Sequence, residues 1–168
     1  MGTNGYFVFK YNGIYYAIYN HYDSYLSGLG KDLLNEIKSM LNENNFEEWL
    51  DKFKKLIILE DNSDLYNFDI KKISKKNIKK LKELAGNIDI DQYLYNIVNE
   101  CKGSYIKTLD SGIIIPEIIS ENEEEIIYSS ICIEYVYIFD FDEKAFTTID
   151  KQKNDIKTYF LYLPKDLA

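Results

Sequence analysis

The chain has 168 residues, and its 46% hydrophobic and 29% charged residues are typical of a globular protein that folds as one domain, residues 1–168. Its formal net charge is −8, and all 20 of its basic residues are lysine. Because arginine is the usual bidentate reader of phosphate and guanine, this composition argues against sequence-specific nucleic-acid binding.

The start of the chain predicts a β-hairpin followed by a helix. Residues 7–10 and 14–19 are rich in aromatic and β-branched side chains and are joined through Asn12 and Gly13. An Asn-Gly pair is the strongest short-range hairpin signal, since both central residues of the turn need a positive φ. From residue 32 to about 41 the apolar residues recur at helical spacing, which predicts an amphipathic helix.

Three further helices are predicted in the middle of the chain. Asn45, with a glutamate three residues later, resembles a capping box at the start of the second helix. Residues 71–82 carry isoleucines and a leucine among lysines, which favours a helix with a solvated lysine face that Gly86 ends. Asp89 or Asp91 then caps a helix whose apolar residues keep the i, i+3, i+4, i+7 spacing.

The last third of the chain predicts strands. Their predicted positions are residues 104–109, 113–115, 126–139, 145–149 and 156–163. Strands, then helices, then strands indicate an α+β fold: a single antiparallel sheet of about 5–7 strands, with about four helices packed mainly on one face.

The chain carries no signature of secretion or membrane insertion. No apolar run approaches the roughly 20 residues that cross a bilayer, and the N-terminus lacks the basic and apolar regions of a secretory signal. Cys101 and Cys132 match neither a disulfide framework nor a metal-binding spacing, and one histidine is too few for a zinc site. We therefore expect a cytoplasmic protein with reduced thiols, no metal, no cofactor and no membrane partner.

Residues 19–30, YNHYDSYLSGLG, form the first candidate site because they contain the only histidine of the chain at the exit of a predicted strand. His21 is a candidate general base and Asp23 the carboxylate that orients it, since imidazole is well matched to proton transfer near neutral pH. The alternative is that both side chains satisfy backbone groups in a turn that leads into the helix.

The glycines at the end of this segment predict an anion site. Free N–H groups at a helix N-terminus favour a phosphate or carboxylate, although the spacing matches neither a P-loop nor a dinucleotide fingerprint and ordinary turn chemistry is the alternative. The residues expected to contact such a ligand are Thr3, Asn20, Tyr22, Tyr25, Ser27, Gly28, Gly30 and Lys31.

Glu134 is a third candidate because it interrupts an apolar row. Alternation along the predicted strand places it on the same face as Cys132, Val136 and Ile138. If that face is buried, the carboxylate must be paired or protonated, and such perturbed groups are enriched at functional sites. If the face is solvated, Glu134 has no special role.

Three segments carry a resemblance: Met1-Gly2-Thr3, residues 19–30, and Glu134-Tyr135-Val136-Tyr137. They resemble a family of small uncharacterised proteins from bacteria, phages, fungi and large DNA viruses. That family begins M-G-T-R and has a Y-x-x-[YWF]-D-[GS]-Y-P-x-G-x-G segment and an E-Y-x-Y strand. Asn4 stands where the family has arginine, and Leu26 where it has proline. The resemblance implies a site shared by these three segments and carries over no catalytic role.

Two functions are compatible with these features. The 16 tyrosines and 9 phenylalanines provide more aromatic surface than a core of this size needs, which favours a ligand-binding or protein-interaction domain. For a virus-encoded member, the resemblance implies interaction with a host protein, and a homodimer is also compatible. The alternative is a small hydrolase or transferase acting on a nucleotide-like anionic substrate, with His21, Asp23 and Glu134 as its catalytic residues.

Overall fold

The central sheet contains six of the eight strands in the part of the chain that the structure describes. The computed structural model describes residues 3–59 and 75–161. In chain order the strands are β1 (Gly5–Tyr11), β2 (Ile14–Asn20), β3 (Ile57–Ile58), β4 (Ile113–Ile114), β5 (Ile118–Ser120), β6 (Tyr135–Asp140), β7 (Ala145–Asp150) and β8 (Asp155–Phe160). Their spatial order in the central sheet is β5-β2-β1-β6-β7-β8, and β3 pairs separately with β4.

The predicted first hairpin is confirmed. β1 and β2 pair in antiparallel register, with Phe9 opposite Tyr16. Asn12 and Gly13 form the turn with φ values of 53° and 78°, which is the positive φ that the Asn-Gly pair predicts. β7 lies where the sequence predicts it. β8 matches the predicted strand 156–163 over residues 156–160, and residues 162–163 of that prediction lie outside the described residues.

The sheet is mixed, whereas the sequence predicts an antiparallel one. β1 lies beside β6, and the two run parallel, with Gly5 opposite Tyr135 and Phe9 opposite Phe139. The chain makes this parallel pair by crossing from one strand to the other through the helical middle of the sequence, as parallel neighbours require. Alternation of side chains shows which residues share a face and does not show which strands are neighbours.

The described residues contain six α-helices, two more than the roughly four that the sequence predicts. They are α1 (Lys31–Asn42), α2 (Phe46–Lys54), α3 (Lys75–Ala85), α4 (Ile90–Glu100), α5 (Tyr105–Ser111) and α6 (Glu123–Tyr128). A π-helical turn, Leu26–Gly30, leads directly into α1. The predicted start of the third helix, residues 71–74, lies outside the described residues.

Two predicted strands are wrong because they cover helices. The predicted strand 104–109 is α5, whose N-cap Ser104 accepts a hydrogen bond from the backbone N–H of Lys107 (3.0 Å) and whose C-cap Gly112 has a φ of 78°. The predicted strand 126–139 begins inside α6, and only its second half is the strand β6. Both segments contain isoleucine and tyrosine, which fit a short buried helix as well as a strand.

The two faces of the sheet carry different cores. One face is aromatic, because Phe7 and Phe9 of β1 and Tyr137 and Phe139 of β6 pack there against residues of α1, α2 and α5. The other face is smaller and is covered by α6 with Ile126. Three of the four described helices in these two cores, α1, α2 and α5, thus lie on one face, as the sequence predicts, and these elements form an α+β domain.

The remaining helices, α3 and α4, pack around the two-stranded sheet. Their buried residues join those of β3 and β4 in a third cluster that includes Leu81, Leu94 and Ile113. Within the described ranges, no helix combines the length and the apolar character needed to cross a membrane.

Glu36 on α1 holds the start of α5. Its Oε1 accepts a hydrogen bond from the backbone N–H of Tyr105 (2.8 Å), and its Oε2 accepts one from the Ser104 hydroxyl (2.5 Å). Burial raises the pKa of the Glu36 carboxyl above its ordinary value of 4.5, and the two hydrogen bonds oppose part of that rise.

We expect Glu36 to make the protein less stable as the pH rises above 4.5. The folded chain binds the Glu36 proton more tightly than the unfolded chain does. Protonated Glu36 therefore makes its full contribution to the free energy of unfolding below the ordinary pKa, and this contribution is lost as the pH rises past the raised pKa of the folded chain. Urea unfolding of the wild type and of Glu36→Gln across this interval checks the sign. The variant's unfolding free energy should fall less steeply with pH, and equal slopes would contradict the assignment.

Candidate functional site

The candidate segments meet at one end of the central sheet, where β1 and β6 begin and β2 ends. The backbone N–H of Ser24 donates to the Thr3 carbonyl (3.1 Å), and that of Glu134 donates to the Asn4 carbonyl (2.9 Å). Thr3 and Asn4, the two residues directly before β1, thus hold the 20–24 turn and the residue before β6. This end of the sheet brings together the backbone of Thr3, of the 20–24 turn and of Glu134.

Two buried polar residues anchor the turn. The Asn20 amide Nδ2 donates to the Ser24 hydroxyl (2.9 Å) and to the Tyr22 carbonyl (3.1 Å). The Ser24 hydroxyl donates to the Asn20 carbonyl (3.2 Å), and the Ser24 carbonyl accepts a hydrogen bond from the Tyr137 hydroxyl (2.6 Å). Asn20 is therefore a structural residue that holds the turn against the sheet.

Removing the Ser24 hydroxyl should destabilise the turn. Ser24→Ala leaves the buried Asn20 amide with one partner fewer, which we expect to lower the free energy of unfolding by about 1–3 kcal/mol. Chemical denaturation measures the change. Ser27→Ala, on an exposed neighbour in the same turn, should stay within about 0.5 kcal/mol of the wild type. Equal stability of the two variants would contradict the anchoring role.

The side chains of His21 and Asp23 are exposed and have separate partners. His21 Nδ1 lies 2.7 Å from the Tyr19 hydroxyl, and an Asp23 oxygen accepts a hydrogen bond from the Tyr25 hydroxyl (3.3 Å). Among the hydrogen bonds of the described residues, none joins His21 to Asp23. A tyrosine therefore positions His21. Within the described residues, no hydrogen bond supports the predicted role of Asp23 in orienting the histidine.

The turn contains two consecutive left-handed residues, Tyr22 and Asp23, with φ values of 68° and 52°. Aspartate tolerates this conformation better than tyrosine, for which it costs roughly 1–2 kcal/mol. The surrounding contacts must hold the pair in place, and one of them is the hydrogen bond from the Leu29 N–H to the Asp23 carbonyl (2.9 Å). The backbone here is constrained while the Tyr22 side chain points into solvent.

Gly28 and Gly30 are required by close packing. Their N–H groups donate to the Tyr25 carbonyl at 3.0 and 3.3 Å, so these groups are used inside the turn rather than offered to an anion. A Cβ on Gly30 would lie 3.0 Å from the ring of Tyr137. Ser27 and Lys31 are exposed.

Lys31 and Glu134 line two different clefts. A cleft of about 240 Å³ lies between the start of α1 and strands β7 and β8, and Lys31, Asp150 and Lys157 are among its lining residues. Glu134 lines a cleft of about 330 Å³ together with Lys151. Burial lowers the pKa of the Lys151 ammonium group, whose Nζ donates to the Ser130 carbonyl (2.8 Å).

A row of aromatic rings crosses this end of the sheet. The rings of Tyr22 and His21 lie 3.7 Å apart, those of His21 and Tyr19 5.8 Å, and those of Tyr19 and Tyr6 6.5 Å. The row ends at Ser129, whose hydroxyl donates to the Tyr6 hydroxyl (3.5 Å). It therefore connects the turn after β2 with the end of α6.

Exposed apolar side chains lie at both ends of this row. Tyr22 is 57% exposed at one end, and Tyr128 and Ile131 are 73% and 99% exposed at the other. We call Tyr19, His21, Tyr22, Tyr128 and Ile131 the aromatic end face. The sequence prediction missed Tyr128 and Ile131 because it placed both inside a strand, where alternation would have buried one of them.

The part of the chain that the structure describes holds no group of three or more His, Cys, Asp or Glu side chains close enough to bind a metal ion. The site thus consists of an anchored turn, a row of rings and two surface clefts. No protein-family model, curated protein or solved structure matches this chain.

Proposed function

We propose that this protein is a small interaction domain that binds a protein partner through the aromatic end face. The observation that carries the proposal is the exposure of Tyr22, Tyr128 and Ile131 at the two ends of one row of contacting rings. Tyrosine is enriched at interfaces because it contributes a large contact area with few torsions.

The anchored backbone supports the same proposal. Binding costs less when the contacting residues are already ordered, because less conformational entropy is lost. Asn20, Ser24 and the packed glycines restrict the turn that presents Tyr22. The strained pair Tyr22 and Asp23 therefore presents its side chains to solvent in a defined arrangement.

The alternative enzymatic function has weaker support in this geometry. A general base needs an orienting partner and a substrate cleft within hydrogen-bond reach. His21 contacts Tyr19 rather than Asp23, and the residues that line the cleft of Glu134 include neither His21 nor Asp23. The lysines of the 240 Å³ cleft could attract an anion, but Asp150 and Asp155 also line that cleft and oppose the attraction.

A capture experiment with matched variants tests the proposal. The wild type, the double variant Tyr22→Ala/Tyr128→Ala and the control Tyr95→Ala are immobilised and exposed to the same cell extract. Tyr95 is an exposed tyrosine on α4 and is not one of the residues that define the aromatic end face. We expect at least one protein to be captured equally by the wild type and the control and to be reduced about 30-fold or more by the double variant.

Equal unfolding temperatures of the three proteins would show that the change is one of binding. The proposal would be contradicted if all three proteins captured the same partners in the same amounts. It would also be contradicted if no captured protein were reduced on the double variant relative to the control.

A further inference from the structure

We propose that the part of the aromatic end face formed by Tyr128 and Ile131 binds a basic segment of a partner protein, in which an apolar side chain lies next to lysines or arginines. The inference rests on the proposed function and adds the chemistry of the partner. Ile131 and Tyr128 are the two most exposed of the large apolar side chains that the structure describes. They lie among carboxylates, and this combination of apolar and acidic groups carries the inference.

Tyr128 lines two surface clefts at the end of α6. The larger cleft has a volume of about 540 Å³, and Glu124 and Glu125 of α6 are among its lining residues. The smaller one is the cleft of about 330 Å³ that Ile131 and Glu134 also line. Since Tyr128 belongs to both linings, a segment that crosses from one cleft to the other contacts its ring.

The backbone that presents the two apolar side chains is held by hydrogen bonds. Directly after α6, the Ser129 hydroxyl donates to the carbonyl of Ile126, a buried residue of that helix (3.2 Å). In the turn that follows, the Ser130 hydroxyl oxygen accepts a hydrogen bond from the Cys132 N–H (3.1 Å). Because this surface is ordered before binding, little conformational entropy is lost when a partner segment contacts it.

The charged groups of the two clefts are mainly acidic. Among the described residues that line them, Glu124, Glu125 and Glu134 contribute three carboxylates, and Lys151 contributes one ammonium group. The Lys151 Nζ donates to the Ser130 carbonyl (2.8 Å), so one of its hydrogen bonds is made within the chain. The chain as a whole has a net charge of −8. Its field therefore attracts a basic segment towards the clefts and repels an acidic one.

A basic segment fits this surface better than the other occupants do. A second copy of the chain would bring a further net charge of −8, and nucleic acid would bring its phosphates, so both would meet carboxylates with like charge. A purely apolar segment would cover Glu124 and Glu134 without pairing them, and the loss of their hydration opposes binding. Lysine or arginine beside an apolar side chain instead supplies a partner for each kind of group.

Selection of peptides from a random library displayed on phage tests the inference with the full chain. We expect the peptides that bind the wild type to contain lysine and arginine about twice as often as the unselected library, next to an aromatic or aliphatic residue. One selected peptide, labelled with a fluorophore, then serves as the probe for titrations. Its affinity should fall about 10-fold or more for Tyr128→Ala, and about fivefold or more for the wild type between about 50 and 500 mM salt.

Two double variants distinguish the carboxylates of the clefts from the charge of the whole chain. Glu124→Gln/Glu134→Gln removes two carboxylates of the clefts, and Glu47→Gln/Glu83→Gln removes two exposed ones on α2 and α3. Both variants have the same net charge. We expect the first to weaken peptide binding about fivefold or more and the second to stay within about twofold of the wild type. The salt titration of the wild type checks the same attraction without any substitution.

Selected peptides that are acidic or uncharged, or equal losses of affinity in the two double variants, would overturn the inference. If Tyr128→Ala weakens binding while salt and the glutamine substitutions have no effect, the aromatic end face remains a binding surface and only the basic character of the partner is wrong. If Tyr128→Ala binds the peptide as tightly as the wild type does, the inference fails, and the capture experiment tests the proposed function separately.

Discussion

Replacing Tyr105 with alanine is expected to lower the free energy of unfolding by about 3–5 kcal/mol, the range for losing a large buried aromatic side chain. Tyr105 is fully buried on α5, and its ring contacts residues of both central strands, β1 and β6. Its ring contacts those of Phe7, Phe9, Trp49, Phe139 and Phe146. Thermal unfolding should show a drop of about 6–20 °C.

Two control variants distinguish the contribution of the Tyr105 ring to stability from that of its hydroxyl and from the effect of removing any tyrosine. The Tyr105 hydroxyl donates to the Val8 carbonyl (3.3 Å) and the Tyr137 carbonyl (3.1 Å). Tyr105→Phe should therefore cost about 0.5–1.5 kcal/mol, and the exposed Tyr95→Ala less than about 0.5 kcal/mol. A Tyr105→Ala protein within about 1 kcal/mol of the wild type would contradict this account of the aromatic core.

Gly28→Ala is expected to destabilise the turn by about 1–3 kcal/mol, the range for adding a methyl group where none fits. A Cβ at this position would overlap the backbone carbonyl of Asp23 and lie 2.9 Å from the ring of Tyr25. The Tyr25 ring is exposed and can move, whereas the Asp23 carbonyl accepts the Leu29 hydrogen bond. Chemical denaturation measures the loss, and partner capture by the aromatic end face should weaken with it.

Gly86→Ala provides a contrast for this prediction. Gly86 has a φ of 62° with open space around it, so an alanine there meets an unfavourable backbone conformation and no clash. We expect a cost of about 1 kcal/mol and no change in the aromatic end face. If Gly28→Ala were as stable as the wild type, the turn would not be packed as described.

The sequence correctly predicts the secondary-structure elements that are determined by neighbouring residues. The Asn12-Gly13 turn determines its own geometry through positive φ, and the apolar spacing of α1 is complete within twelve residues. The strand β7 is also predicted from sequence, because its phenylalanine, threonines and isoleucine favour strands. These parts of the fold do not depend on a partner elsewhere in the chain.

The errors concern segments whose structure depends on distant contacts. α5 is short and rich in residues that also favour strands, and the contact that holds its start is the carboxylate of Glu36, 68 residues away from Ser104 in sequence. The parallel pairing of β1 with β6 likewise joins strands separated by most of the chain. Side-chain periodicity contains no information about either contact.

The glycines of the candidate segment have a different role in the structure from the one that the sequence predicts. The sequence predicts a candidate site at residues 19–30 from their histidine, aspartate and glycines. In the structure, close contacts with Asp23 and Tyr137 leave no room for a side chain at Gly28 and Gly30. The Tyr137 hydroxyl that holds Ser24 is 113 residues away in sequence. The contacts that hold this segment therefore come from residues distant in sequence, which the residue types of the segment do not show.

Hydrogen exchange of the turn amides is the most direct test of the central claim, that residues 20–30 form an ordered platform for exposed aromatic side chains. The N–H groups of Ser24 and Leu29 are bonded to the carbonyls of Thr3 and Asp23. The account predicts that both amides exchange far more slowly than in an unstructured peptide, and that Gly28→Ala accelerates them selectively. Exchange of both amides in the wild type at the rate of an unstructured peptide would contradict it.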